Sequence, residues 1–207
     1  MAGEIRQTVT IDGRTLHLRR SGSGPAVVLL HESPRSSAVL VPLAARLARD
    51  FTVFALDSPG FGQSDPLPIT RPTIQDFADA IVASLRALGV TRAPVYGTHT
   101  GAGIAIAIAK RHPDFATGAV LDGYPIFTTQ EADEFAYLYL KLFEPDWEGQ
   151  HVARLWSRVR DQYTFFPWYA LGRGSRIERD PPSPEMQTAV VRDFLAAGSN
   201  YARGYEA

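Results

Sequence analysis

Residues 7–11 and 15–20 carry spaced apolar positions suited to extended chain, and Asp12-Gly13 stands between them. An Asp-Gly pair between two extended segments predicts a β-hairpin. Residues 26–30 form an unbroken apolar run that stops at His31, and residues 51–56 form a mostly apolar segment that stops at Asp57. Runs of this kind suit strands buried on both faces. Between them, residues 37–49 place Leu40, Leu43 and Leu47 on one helical face. Loops follow at residues 58–62 and 64–72. Thr73 then predicts a helix N-cap, with Asp76 in the third helical position as a capping-box variant. That helix runs to about Leu88 and ends at Gly89. A short strand over residues 94–96 ends at Gly97. A small-residue helix over 101–110 closes at His112-Pro113, and a last apolar strand over 118–121 ends at Asp122-Gly123.

The order is a hairpin followed by alternating strands and helices. It predicts an α/β fold, a mostly parallel doubly wound sheet with helices on both faces. Sites in such sheets lie at the carboxyl ends of the strands. His31, Asp57, the 97–101 turn and Asp122 all stand at such ends. They converge on one edge before any motif is considered. After Gly123 the pattern changes. Residues 124–207 are rich in aromatics, among them Tyr137, Tyr139, Phe143, Trp156, Phe166 and Trp168. Helical stretches fall near 130–143, 151–162 and 184–197, with no strand pattern. The expected division is a core over residues 1–123 and a helical cap over 124–207.

Composition narrows the function classes. The 207 residues are 45% hydrophobic and 21% charged, with net charge −1 and no cysteine. Spread-out Lys and Arg argue against a nucleic-acid or anionic membrane surface. Without cysteine there is no disulfide, thiolate metal site or Cys nucleophile. Residues 1–10 hold no apolar run of signal-peptide type, and no run approaches a membrane span. A soluble cytoplasmic protein without a cofactor is expected. His17, His112 and His151 lack metal-ligand spacing and read as surface or packing residues.

The turn Gly97-Thr98-His99-Thr100-Gly101 joins a strand to a helix. A nucleophile elbow needs small residues two positions either side of a strained central residue. Two further segments accompany it in order. His31-Glu32-Ser33-Pro34 resembles the H-G-x-P oxyanion loop of α/β hydrolases, and residues 57–64 (DSPGFGQS) resemble their D-x-P-G-F-G-x-S loop. The resemblance covers about residues 25–123 and is nearest to the epoxide hydrolase and haloalkane dehalogenase branch. It implies an α/β-hydrolase fold with a partial cap. The amides of Ser33 and Thr100 would form the oxyanion hole, Asp122 would be the in-chain match for the acid, and cap aromatics Trp156, Phe166 and Trp168 would line an apolar pocket.

Three departures from that pattern shape the expected function. His99 stands where the branch has Ser or Asp. Glu32 replaces a glycine, and pairing with Arg35 or His99 would offset its charge. The catalytic histidine of the family follows an eighth strand, and the chain ends inside the apparent cap, so an incomplete and inactive chain is one expectation. The leading reading is hydrolysis of an ester or related acyl bond of a small apolar substrate. His99 would be nucleophile or base, oriented by Glu32 or Asp122. The alternatives are a non-catalytic ligand-binding member, or a cofactor-free lyase or isomerase with His99 as base.

Overall fold

A computed structural model describes residues 4–134, 145–177 and 180–201. They fall into two compact units, one within residues 1–125 and one within 126–202. The first unit is a six-stranded sheet in the order β1-β2-β4-β3-β5-β6. Strands β1 (Ile5–Ile11) and β2 (Arg14–Ser21) form the hairpin, closed at Asp12 and Gly13 with positive φ at both. Strand β2 joins β4 (Thr52–Leu56) antiparallel, while β3 (Ala26–Leu30), β5 (Ala93–Thr98) and β6 (Ala116–Asp122) continue the sheet in parallel with β4. The expected α/β architecture is thus present. The outer edge of β6 meets no strand among the described residues.

The period-two geometry of the strands sorts the core into two layers. On one face Val27, Leu29, Val53 and Ala55 bury against Leu40 and Ala44, and Tyr96 packs at the margin. Leu40 ends a short 3-10 turn (Ser37–Leu40), and Ala44 lies in α1 (Val41–Leu47). Proline at the second position of α1 splits the single helix expected over 37–49 into these two pieces, because it donates no backbone N–H. Gly97 follows Tyr96 and therefore faces the opposite side, where it meets α3 (Thr100–Arg111). Helix α3 packs against β5, β6 and α2 (Ile74–Ala87). The predicted capping box opens α2. The Thr73 hydroxyl accepts from the Asp76 N–H at 3.4 Å, and Asp76 Oδ2 accepts from the Thr73 N–H at 2.7 Å.

The second unit is helical. Helix α4 (Thr129–Glu134) begins the stretch expected over 130–143; its remainder, with Tyr137, Tyr139 and Phe143, lies outside the described residues. Helices α5 (Gln150–Gln162) and α6 (Pro184–Ala197) pack on each other near their expected limits. Between them a loop is closed by an antiparallel bridge between Phe165 and Arg176, which no sequence pattern announced. Buried Arg158 is this unit's centre. Its guanidinium carbon lies 4.5 Å from the Phe194 ring and 5.0 Å from Tyr201, and its Nη2 donates to the Tyr201 hydroxyl.

Candidate active site

The elbow is built by two close backbone approaches. A Cβ added to Gly97 would lie 2.0 Å from the Gly101 carbonyl oxygen. One added to Gly101 would lie 2.4 Å from the Leu30 oxygen and 2.8 Å from the His31 oxygen. Only glycine fits at either place. The strand, the turn and the end of β3 are thereby pressed together. The residue between them, His99, takes φ 47° and ψ −111°. That conformation is strained for any residue with a side chain. Its N–H donates to the Asp122 carbonyl at 2.8 Å, and its imidazole lies over Gly123 in the open. Among the described residues the imidazole makes no hydrogen bond or ion pair.

The oxyanion loop is fixed by His31. The ring is 1% exposed. Its Nε2 accepts from the Ser58 N–H at 2.9 Å, so its proton sits on Nδ1, which donates to the Glu32 carbonyl at 2.8 Å. The Arg35 N–H donates to the same carbonyl at 2.9 Å. Ser33 follows, and its N–H reaches Thr100 Oγ1 at 3.4 Å. The loop and the start of α3 therefore meet at Ser33 and Thr100. The α3 terminus adds the positive end of a helix dipole there.

The carboxylates take other partners than His99. Glu32 faces Arg35, with 3.9 Å between Oε1 and Nη1, which is the first of the two pairings expected for it. The exposed Asp122 accepts through Oδ2 from the Tyr96 hydroxyl at 2.6 Å. Burial, the bond to Asp122, and the charges of Asp122 and Glu32 push the Tyr96 phenol up to about 12. Tyr96 was missed in the sequence. Only the register of β5 on β6, with Thr98 opposite Asp122, brings it within reach.

Behind the site Asp57 ties three segments together at 2% exposure. Its carboxylate accepts from the Ser37 N–H at 2.6 Å and the Gln63 N–H at 2.9 Å, and bonds His17 Nδ1 at 2.9 Å. Burial pushes this carboxyl up, but the bonds from Ser37 and Gln63 help hold it below the ordinary value. His17 is accordingly a buried packing residue, paired with a strand-end acid.

The aromatic candidates belong to the second unit. Trp156 is partly exposed, and its carbonyl accepts from Gln187 Nε2 at 2.9 Å. Phe166 is largely exposed. Trp168 stacks its ring over Arg158, 5.1 Å from the guanidinium carbon, and its shielded Nε1–H has no acceptor among the described residues. No group of three or more metal-ligating side chains occurs among the described residues, and none of their helices is long and apolar enough to cross a membrane.

Comparison with known proteins places this geometry. A family profile described as alpha/beta hydrolase fold matches residues 25–194. The chain is 35% identical over 130 residues to 2-(acetamidomethylene)succinate hydrolase of Mesorhizobium japonicum, covering 62% of the chain and 46% of that protein. It is 31% identical over 140 residues to fluoroacetate dehalogenase of a Burkholderia species, covering 64% and 46%. It is 29% identical over 200 residues to zearalenone hydrolase of Bionectria ochroleuca, covering 88% and 75%. The chain thus spans about half the length of the first two. Among solved structures, an epoxide hydrolase from an endophytic Streptomyces superposes with a TM-score of 0.74 at 21% identity, covering 99% of the chain and 71% of that structure. At that identity the likeness concerns the fold.

Proposed function

Because the chain belongs to the alpha/beta hydrolase fold family, we propose that it hydrolyses an ester or related acyl bond of a small, mostly apolar molecule at His99. One observation carries this reading. The fold holds an exposed imidazole at the strained centre of the elbow, and the Ser33 N–H reaches the hydroxyl of the next residue, Thr100. Exposed Leu121 and Tyr124 next to Asp122 and Gly123 support an apolar substrate.

In the proposed reaction a neutral imidazole nitrogen attacks the acyl carbon. The carbonyl electrons move to oxygen, and the Ser33 and Thr100 N–H groups donate to the oxyanion. For this the Ser33 N–H leaves the Thr100 hydroxyl. The carbon–oxygen bond to the alcohol breaks, and the alcohol takes the imidazole proton. Water then attacks the acyl-imidazole, releasing the acid and restoring His99. Arg35 offsets the Glu32 charge that would otherwise oppose the oxyanion.

A panel of short-chain nitrophenyl esters tests the proposal. The wild type should turn over at least one ester, and His99→Ala should lower kcat/KM by about a hundredfold or more, the usual scale for losing a nucleophile or its partner. Rapid quenching should trap an acyl group on the peptide containing His99. Equal turnover by His99→Ala would overturn the assignment. A second reading, ligand binding without turnover, is favoured by one fact: Glu32 and Asp122 bond to Arg35 and Tyr96 rather than to His99. Under it, no ester is cleaved and no adduct forms.

A further inference from the structure

The second unit contains a cleft of about 380 Å³ that the proposed reaction does not use. Ala153, Arg154, Ser157, Arg158 and Asp161 of α5 line it, with Trp168 from the following loop. Their spacing places the α5 residues on one stripe of the helix. The loop is pinned at both ends: the Phe166 N–H donates to the Ser175 carbonyl at 2.8 Å, and the Ile177 N–H to the Thr164 carbonyl at 2.9 Å. Arg158 and the edge-on Tyr169 ring hold the Trp168 indole in place.

The lining is rich in unused donors. The Trp168 Nε1–H is shielded from solvent with no acceptor among the described residues, a costly state for a polar group. Among those residues, neither the Arg154 guanidinium nor the Ser157 hydroxyl makes a hydrogen bond or ion pair. At the rim, Asp161 Oδ1 accepts from Arg160 Nε and Nη2, at 2.9 and 2.8 Å. The cleft therefore offers donors and positive charge to a molecule bringing acceptors and negative charge.

We propose that this cleft binds the carboxylate of a small molecule, with Arg154, Ser157 and Trp168 as its donors. The site lies in the second unit.

Acetate is the probe, and the full 207-residue chain labelled with nitrogen-15 is the sample. Its three tryptophans, Trp147, Trp156 and Trp168, give three indole N–H signals, and Trp168→Phe assigns the third by its loss. Sodium acetate is titrated against sodium chloride at matched ionic strength. The Trp168 signal should shift and saturate with acetate while the other two stay in place. Arg154→Gln, at an exposed helix position, should keep the spectrum dispersed and weaken binding by about tenfold, as expected for losing one charge-assisted contact. A Trp168 signal indifferent to acetate, three indoles moving alike in both salts, or unchanged affinity in Arg154→Gln would each overturn the proposal. So would a parallel titration in which inorganic phosphate moves the signal and acetate does not. The readout is binding, so it is independent of ester turnover.

Discussion

The backbone at His99 turns through φ 47° and ψ −111°, where glycine sits without penalty and an imidazole-bearing residue does not. His99→Gly should therefore raise stability by about 1 kcal/mol, the low end of the cost of such a conformation, and a urea midpoint measures it. The same variant should lose the ester activity proposed for the wild type. A lower midpoint would show that the imidazole itself holds the elbow together, through its packing on Gly123. The strained centre was legible in the sequence because two glycines flank it at fixed distance. The fate of Asp122 was not. A strand-end acid chooses its partner across strands, and Tyr96 stands on the neighbouring strand in a register that no local pattern encodes.

Elements whose signals are local were read most closely. The Thr73 capping box and the stop at Gly89 bracket α2 within a residue of its observed limits. Strand ends were read less well. Strand β6 starts at Ala116, two residues before the apolar run, because main-chain pairing with β5 extends past the side chains that signal it. The joint between β5 and α3 makes a sharper prediction. In Gly97→Ala the new methyl would meet the Gly101 carbonyl at 2.0 Å. Both groups lie on rigid backbone, so the elements must part, at a cost of about 1–3 kcal/mol or more. Gly118→Ala in β6 is the control, since its added carbon meets nothing within 4 Å. Thermal melts should show a clear loss of Tm for the first and little change for the second.

Across the whole molecule, Asp57 couples the hairpin, the 3-10 turn and the loop after β4 through His17, Ser37 and Gln63. These partners lie 40, 20 and 6 residues away, and only the folded sheet gathers them. The sequence places Asp57 at a strand end but carries no sign of its pairing with His17. The carboxyl is held below its ordinary value in the native state. The unfolded chain therefore takes up the proton first as acid is added. Stability from this group is complete above about pH 4, the ordinary aspartate range, and drains away as pH falls toward the lowered native value. Urea unfolding at stepped pH should show this acid-side loss. Asp57→Asn should be less stable at neutral pH and show a flatter acid profile. An unchanged profile would locate the acid sensitivity elsewhere.

The ring of His31 has one proton and two duties on opposite sides, giving to the Glu32 carbonyl and taking from the Ser58 N–H. An amide side chain can also give and take, but from a single end. A hydroxyl lacks the reach, and a carboxylate has no hydrogen to give. Read as a vocabulary, the position has one word. The rivet between these two loops must be spelled histidine, whatever residue occupies the elbow beside it.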